Sequence, residues 1–67
     1  MFTITKNTTT GKHEVLTDKG FKTREWLENN RAEILFFSKE EGSKKVRELR
    51  ADCRLPQIKK SIILNYN

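Results

Sequence analysis

From Glu48 to Leu55 the chain alternates without a break. Glu48, Arg50, Asp52 and Arg54 fall on one side of an extended backbone, and Leu49, Ala51, Cys53 and Leu55 on the other. Such a run reads as a half-buried strand and needs a partner. The most apolar stretch of the chain, Ile34-Leu35-Phe36-Phe37, supplies one. Between the two lies Glu40-Glu41-Gly42-Ser43, where Gly42 can take the positive φ of a tight turn. On this reading Ala32 to Leu55 forms the central hairpin of a very small sheet or barrel.

A helical reading competes for the same residues. Ser38 followed by Glu41 is a capping-box pattern, and Val46, Leu49 and Cys53 keep helical spacing. It places Gly42 in the first turns and makes the alternation from Glu48 to Leu55 accidental, so the hairpin is preferred for Ser38–Asp52. A second choice opens at Arg31. Leu27, Ile34 and Leu35 can share a helical stripe through Phe37, but an aromatic and β-branched run bounded by turn residues favours a strand over Ala32–Ser38.

The flanking segments are simpler. Phe2 to Lys6 alternates Phe2 and Ile4 against Thr3 and Thr5, a strand pattern, and Asn7 to Lys12 supplies turn residues before a partner strand over His13–Thr17. Asp18-Lys19-Gly20 breaks that strand. Thr23 is a good N-cap for a helix beginning at Arg24, with Glu25 in its first turn, Trp26 and Leu27 as its buried residues, and Phe21 placed to staple onto Leu27. Asn29-Asn30 terminate it after about two turns. Pro56 ends the second arm of the hairpin or marks a bulge, and Ser61 to Leu64 with Tyr66 forms the last strand. The expected architecture is α+β, mostly β: β-β-α-β-β-β, a small SH3-like barrel or curled antiparallel sheet with one short helix. Closing the sheet would remove edges that so short a chain could hardly protect.

Sixty-seven residues make one domain with a small core and marginal stability. Cys53 is the only cysteine and His13 the only histidine, so neither an internal disulfide nor a metal site is expected, and no cofactor is implied. The N-terminal residues lack the pattern of an export signal, and the longest apolar run is far short of a membrane span. With a lone thiol, these features point to a reducing cytoplasm and no membrane partner.

Charge is unevenly placed. Up to Glu41 the bases and acids cancel; from Gly42 onward Lys44, Lys45, Arg47, Arg50, Arg54, Lys59 and Lys60 face only Glu48 and Asp52, so the whole net charge of +5 lies there. Basic side chains on adjoining strands can line a groove that tracks a phosphate backbone, and these residues are the candidate nucleic-acid contacts. The competing reading is a solvated basic surface in which Glu48 and Asp52 form cross-strand ion pairs.

The segment "EWLENN", then "AEILFFSKEEGS", then "LRADCRLP" resembles small phage-encoded proteins with an SH3-like (Sm-like) barrel. The resemblance rests on Phe37, Lys39, Glu41, Gly42, Ser43, Lys45, Leu49, Cys53 and Leu55. It covers roughly residues 24–56, with two extra residues near Val46-Arg47. It implies a phage or prophage origin, supports the hairpin and brings no catalytic residues. A slighter likeness joins "GKHEVLTDKGFKTREWLENN" to the strand-to-helix stretch of the arm-binding domain of tyrosine recombinases, which reads DNA with a three-stranded sheet; here two strands precede the helix, and Trp26 stands where that family has a small residue.

Catalysis is not expected. His13 has only Glu14 beside it and reads as an exposed strand residue; Cys53 reads as a small core residue, reactive only if displaced to the surface among Lys45, Arg50 and Arg54. Phe36 and Phe37 point to opposite sides of a strand, so one of them needs separate cover or is free to stack. The expected function is a non-enzymatic, phage-type protein that binds DNA or RNA through its C-terminal basic surface. The alternative is an inhibitor or modulator that docks on a host enzyme or transcription factor, for instance by adding a strand to its partner.

Overall fold

The computed structural model describes residues 1–66. Three strands follow one another as a meander: β1 (Phe2–Asn7), β2 (His13–Thr17) and β3 (Gly20–Thr23). The alternation of Phe2 and Ile4 with Thr3 and Thr5 sets which side of β1 faces the apolar core, although Thr3 is buried on the other side, and pairing carries the core side across the sheet. Ile4 lies opposite Leu64 of the last strand, while Leu16 lies opposite Phe21. The β2–β3 turn is held by the Thr17 hydroxyl, which donates to the Gly20 carbonyl at 2.7 Å and accepts from the Lys19 N–H at 3.1 Å. Gly20 sits at φ 95°, where a side chain would be strained. This third strand was not anticipated from the sequence.

Helix α1 (Arg24–Asn29) starts as expected, with the Thr23 hydroxyl accepting from the Trp26 N–H at 3.2 Å. Trp26 and Leu27 are half-buried rather than buried, because so short a helix lies along β2 and β3 without being covered itself. Helix α2 (Lys39–Asp52) begins at Ser38, whose hydroxyl accepts from the Glu41 N–H at 3.2 Å, and Glu40 and Glu41 in its first turn suit the helix dipole. Helix α3 (Pro56–Ser61) has proline at its first position, where the missing N–H is not needed. Strand β4 (Ile63–Tyr66) then returns beside β1, giving an antiparallel sheet of order β3-β2-β1-β4.

The core forms where α2 and α3 pack on the sheet. Ile4, Leu16, Val46 and Ile62 are buried, with Phe21, Leu35, Phe37, Leu49, Cys53 and Leu64 around them. Gly42, Val46, Leu49 and Cys53 recur at helical spacing and make the inner face of α2.

The α+β class is as expected, but the middle of the chain is not. The hairpin over Ala32 to Leu55 is replaced by the helix α2, and Pro56 opens a further helix instead of ending a strand. The sheet is open rather than a closed barrel, and the described residues hold three helices rather than one. Ala32–Ser38 is extended without being a regular strand. It lies where β1 and β2 splay: Leu35 N–H donates to Leu16 C=O on β2 at 3.1 Å, and Phe37 exchanges two 2.8 Å bonds with Phe2 on β1. Phe36 is exposed while Phe37 turns inward, the alternation expected of an extended run. Gly42 takes no positive φ. It is buried in α2, where a Cβ would stand 2.5 Å from Leu64 Cδ1 and 3.2 Å from Phe37 Cβ, so its role is close approach of helix to sheet.

Candidate nucleic-acid interface

The seven candidate residues lie on helices and the turn between them, not on adjoining strands. Lys44, Lys45, Arg47 and Arg50 belong to α2, Arg54 lies just beyond its end, and Lys59 and Lys60 occupy the last turn of α3. That last turn is a favourable place for cations, since they face the negative end of the helix dipole.

Helical geometry sorts charges that a strand would have interleaved. Glu41, Lys45, Glu48 and Asp52 follow one flank of α2 at heptad-like spacing, and Lys45 Nζ stands 3.9 Å from Glu48 Oε2. Glu40, Lys44, Arg47 and Ala51 follow the outward face, all exposed, with exposed Arg54 next after the helix. Among the described residues, Lys44, Arg47, Arg54, Lys59 and Lys60 have no carboxylate within ion-pair distance. The cross-strand ion pairs expected of Glu48 and Asp52 do not occur, because there is no strand there.

Arg50 has a different task. It is half-buried, and its Nε and Nη2 donate to the Ile62 carbonyl at 3.1 and 2.8 Å, fixing the chain where α3 passes into β4. A guanidinium anchored in this way cannot reach out to track a phosphate backbone, although its Nη1 donors remain open. The candidate set therefore divides: five free cations, one cation in a surface pair and one structural arginine.

His13 is exposed at the start of β2, as expected of a strand residue. Cys53 is half-buried against the core at the C-cap of α2, with its thiol donating to the Leu55 carbonyl at 3.6 Å. Two regions escaped the sequence reading. On the sheet face turned away from α2, Thr3, Thr5, His13, Arg24 and Asn65 border a shallow depression of about 490 Å³ that no carboxylate lines. Between α2 and β4 runs a groove of about 390 Å³, walled by Ser43, Val46, Arg47, Arg50, Ile63 and Leu64. The sequence pointed to a last strand near Ile63, but only the position of α2 creates a groove.

No helix among the described residues is long and apolar enough to cross a membrane. No protein-family model, curated protein or solved structure matches the chain.

Proposed function

We propose that the chain is a non-enzymatic accessory protein of phage type that binds nucleic acid, DNA or RNA, in the cytoplasm of a bacterial host. One observation carries the reading. The outward face of α2, continued by Arg54, carries Lys44 and Arg47 with no carboxylate within ion-pair distance among the described residues; Glu40 opens that face, and Glu41, Glu48 and Asp52 are gathered on another flank. The α2 helix of 14 residues is about 21 Å long, enough to follow several phosphates of one strand. Lys44, Arg47 and Arg54 contact phosphates, with Lys59 and Lys60 extending the contact from α3. Such contacts position a protein on nucleic acid without reading bases, so selectivity is shape- and strand-dependent rather than sequence-dependent. The phage-type reading rests on the sequence resemblance over roughly residues 24–56 alone, since the hairpin it implied is helix α2 in the fold, and the cytoplasmic one rests on the lone thiol.

Fluorescence anisotropy of labelled single-stranded DNA, duplex DNA and RNA tests the reading. With about four phosphates neutralised, duplex affinity falls roughly 100-fold between about 50 and 200 mM salt. Combined charge reversal at Lys44, Arg47 and Arg54 abolishes binding, and reversal at Lys59 and Lys60 weakens it. Arg50 is left intact, since its loss would disturb β4. Absence of binding at 50 mM salt, or binding indifferent to these reversals, would sink the reading.

The alternative, an inhibitor or modulator docking on a host enzyme or transcription factor, is favoured by one feature: β4 pairs with β1 on one side only.

A further inference from the structure

The open side of β4 can be described group by group. Phe2 spends its N–H and C=O on Phe37, so both point away from β4. In an antiparallel ladder successive residues turn these groups to opposite sides. Thr3 and Thr5 therefore turn theirs toward β4, where Asn65 and Ile63 stand opposite them. Leu64 and Tyr66 are left with N–H and C=O directed outward, where no further strand lies among the described residues. The carbonyl of Ile62, just before β4, is capped by the Arg50 guanidinium, so the edge is guarded at its start and open at Leu64 and Tyr66.

Beside this edge lies the groove between α2 and β4. Its floor is Val46 and Leu64, with Ile63 at its rim, and Arg47 and Arg50 stand along its helix side; no carboxylate lines it. Arg50 uses only Nε and Nη2 on Ile62, which leaves Nη1 donors for a second acceptor. Backbone groups, an apolar floor and paired arginines are what an added strand with acidic side chains requires.

We infer that the β4 edge and its α2 groove form a docking site for an extended acidic peptide segment of a partner protein, which adds to the sheet as a further strand. Its backbone pairs with Leu64 and Tyr66, its apolar side chains rest on Val46 and Leu64, and its carboxylates meet Arg47 and Arg50. Charge selects this occupant over a second copy of the chain. Another β4, Ile63-Leu64-Asn65-Tyr66, carries no carboxylate and would bring a second pair of arginines to the same edge. The inference names a site for the protein-partner reading and does not rest on nucleic-acid binding.

The test uses the full chain, free of nucleic acid, with a seven-residue peptide in which glutamate and valine take turns at every second position with serine between them, so that both face α2, and a counterpart with lysine for glutamate. Amide exchange and chemical shifts are followed by NMR. The expected result is binding of the acidic peptide alone, with the Leu64 and Tyr66 amides gaining protection. Arg47→Glu weakens that binding at least tenfold without altering the fold. Tyr66→Pro, which removes one outward N–H from an exposed position, weakens it independently of charge. Equal binding of the lysine peptide, shifts confined to the outer face of α2 or to the opposite sheet face, or no binding at millimolar peptide would each overturn the inference. So would protection of Leu64 and Tyr66 that rises with protein concentration alone, since that marks self-pairing.

Discussion

Single residues in this protein take their roles from the neighbour they meet, and Gly42 shows it most plainly. In sequence it resembles a turn glycine; in the fold it is the point where α2 presses on Leu64 and Phe37. Alanine there would gain about 1 kcal/mol of helix propensity but must displace the tip of Leu64. Leucine has no such room. Gly42→Leu is expected to lose about 1–3 kcal/mol through overpacking, read from the urea midpoint. An unchanged midpoint would mean that α2 does not approach β4 as described. Arg50 makes the same point for charge, since a residue counted among phosphate contacts in sequence is bound to a backbone carbonyl in the fold.

Among elements, α2 decides the architecture. Leu49 and Cys53 satisfy a two-residue and a helical period equally well, so they could not choose between them. The discriminating residues were Val46 on one side and Ala51 and Leu55 on the other: Val46 is buried, and the other two are exposed. Composition also favoured the helix, since Lys, Glu, Arg and Ala are good helix formers and are depleted in strands. Ser38 marks the start, and Ser38→Ala is expected to cost about 1 kcal/mol by removing the acceptor for the Glu41 N–H. If that midpoint holds still while Ser43→Ala shifts it, the helix begins elsewhere. The outer strands, by contrast, were readable because Phe2 to Lys6 has no competing helical pattern, and Thr23 was readable because a cap needs only the next three residues.

For the whole molecule, stability rests on a core in which, among the described residues, the buried apolar side chains are only Ile4, Leu16, Val46 and Ile62. A domain of this size rarely draws more than about 3–5 kcal/mol from one core. Ile4 is fully buried between helices and sheet, and truncating it to alanine removes about 2–5 kcal/mol. Ile4→Ala is therefore expected to leave much of the population unfolded at 37 °C, with loss of cooperative melting by circular dichroism. A cooperative transition within a few degrees of the parent would show that the core lies elsewhere. The candidate surface follows the same logic: net charge and its C-terminal placement were plain in the sequence, but which cations face solvent depended on helical geometry.

By itself the sequence determined the first two strands, the start of α1 and the concentration of positive charge after Glu41. These are properties of near neighbours: alternation along a strand, a cap reaching three residues ahead, a count of charges. Only the tertiary structure decided that 39–52 is a helix, that Arg50 is structural, and that β4 keeps an open edge beside a groove. Each depends on residues far apart in the chain, Val46 on Ile4 and Ile62, and Gly42 on Leu64. Where two periods fit one segment equally well, burial against the rest of the fold chooses between them, and that energy is not local.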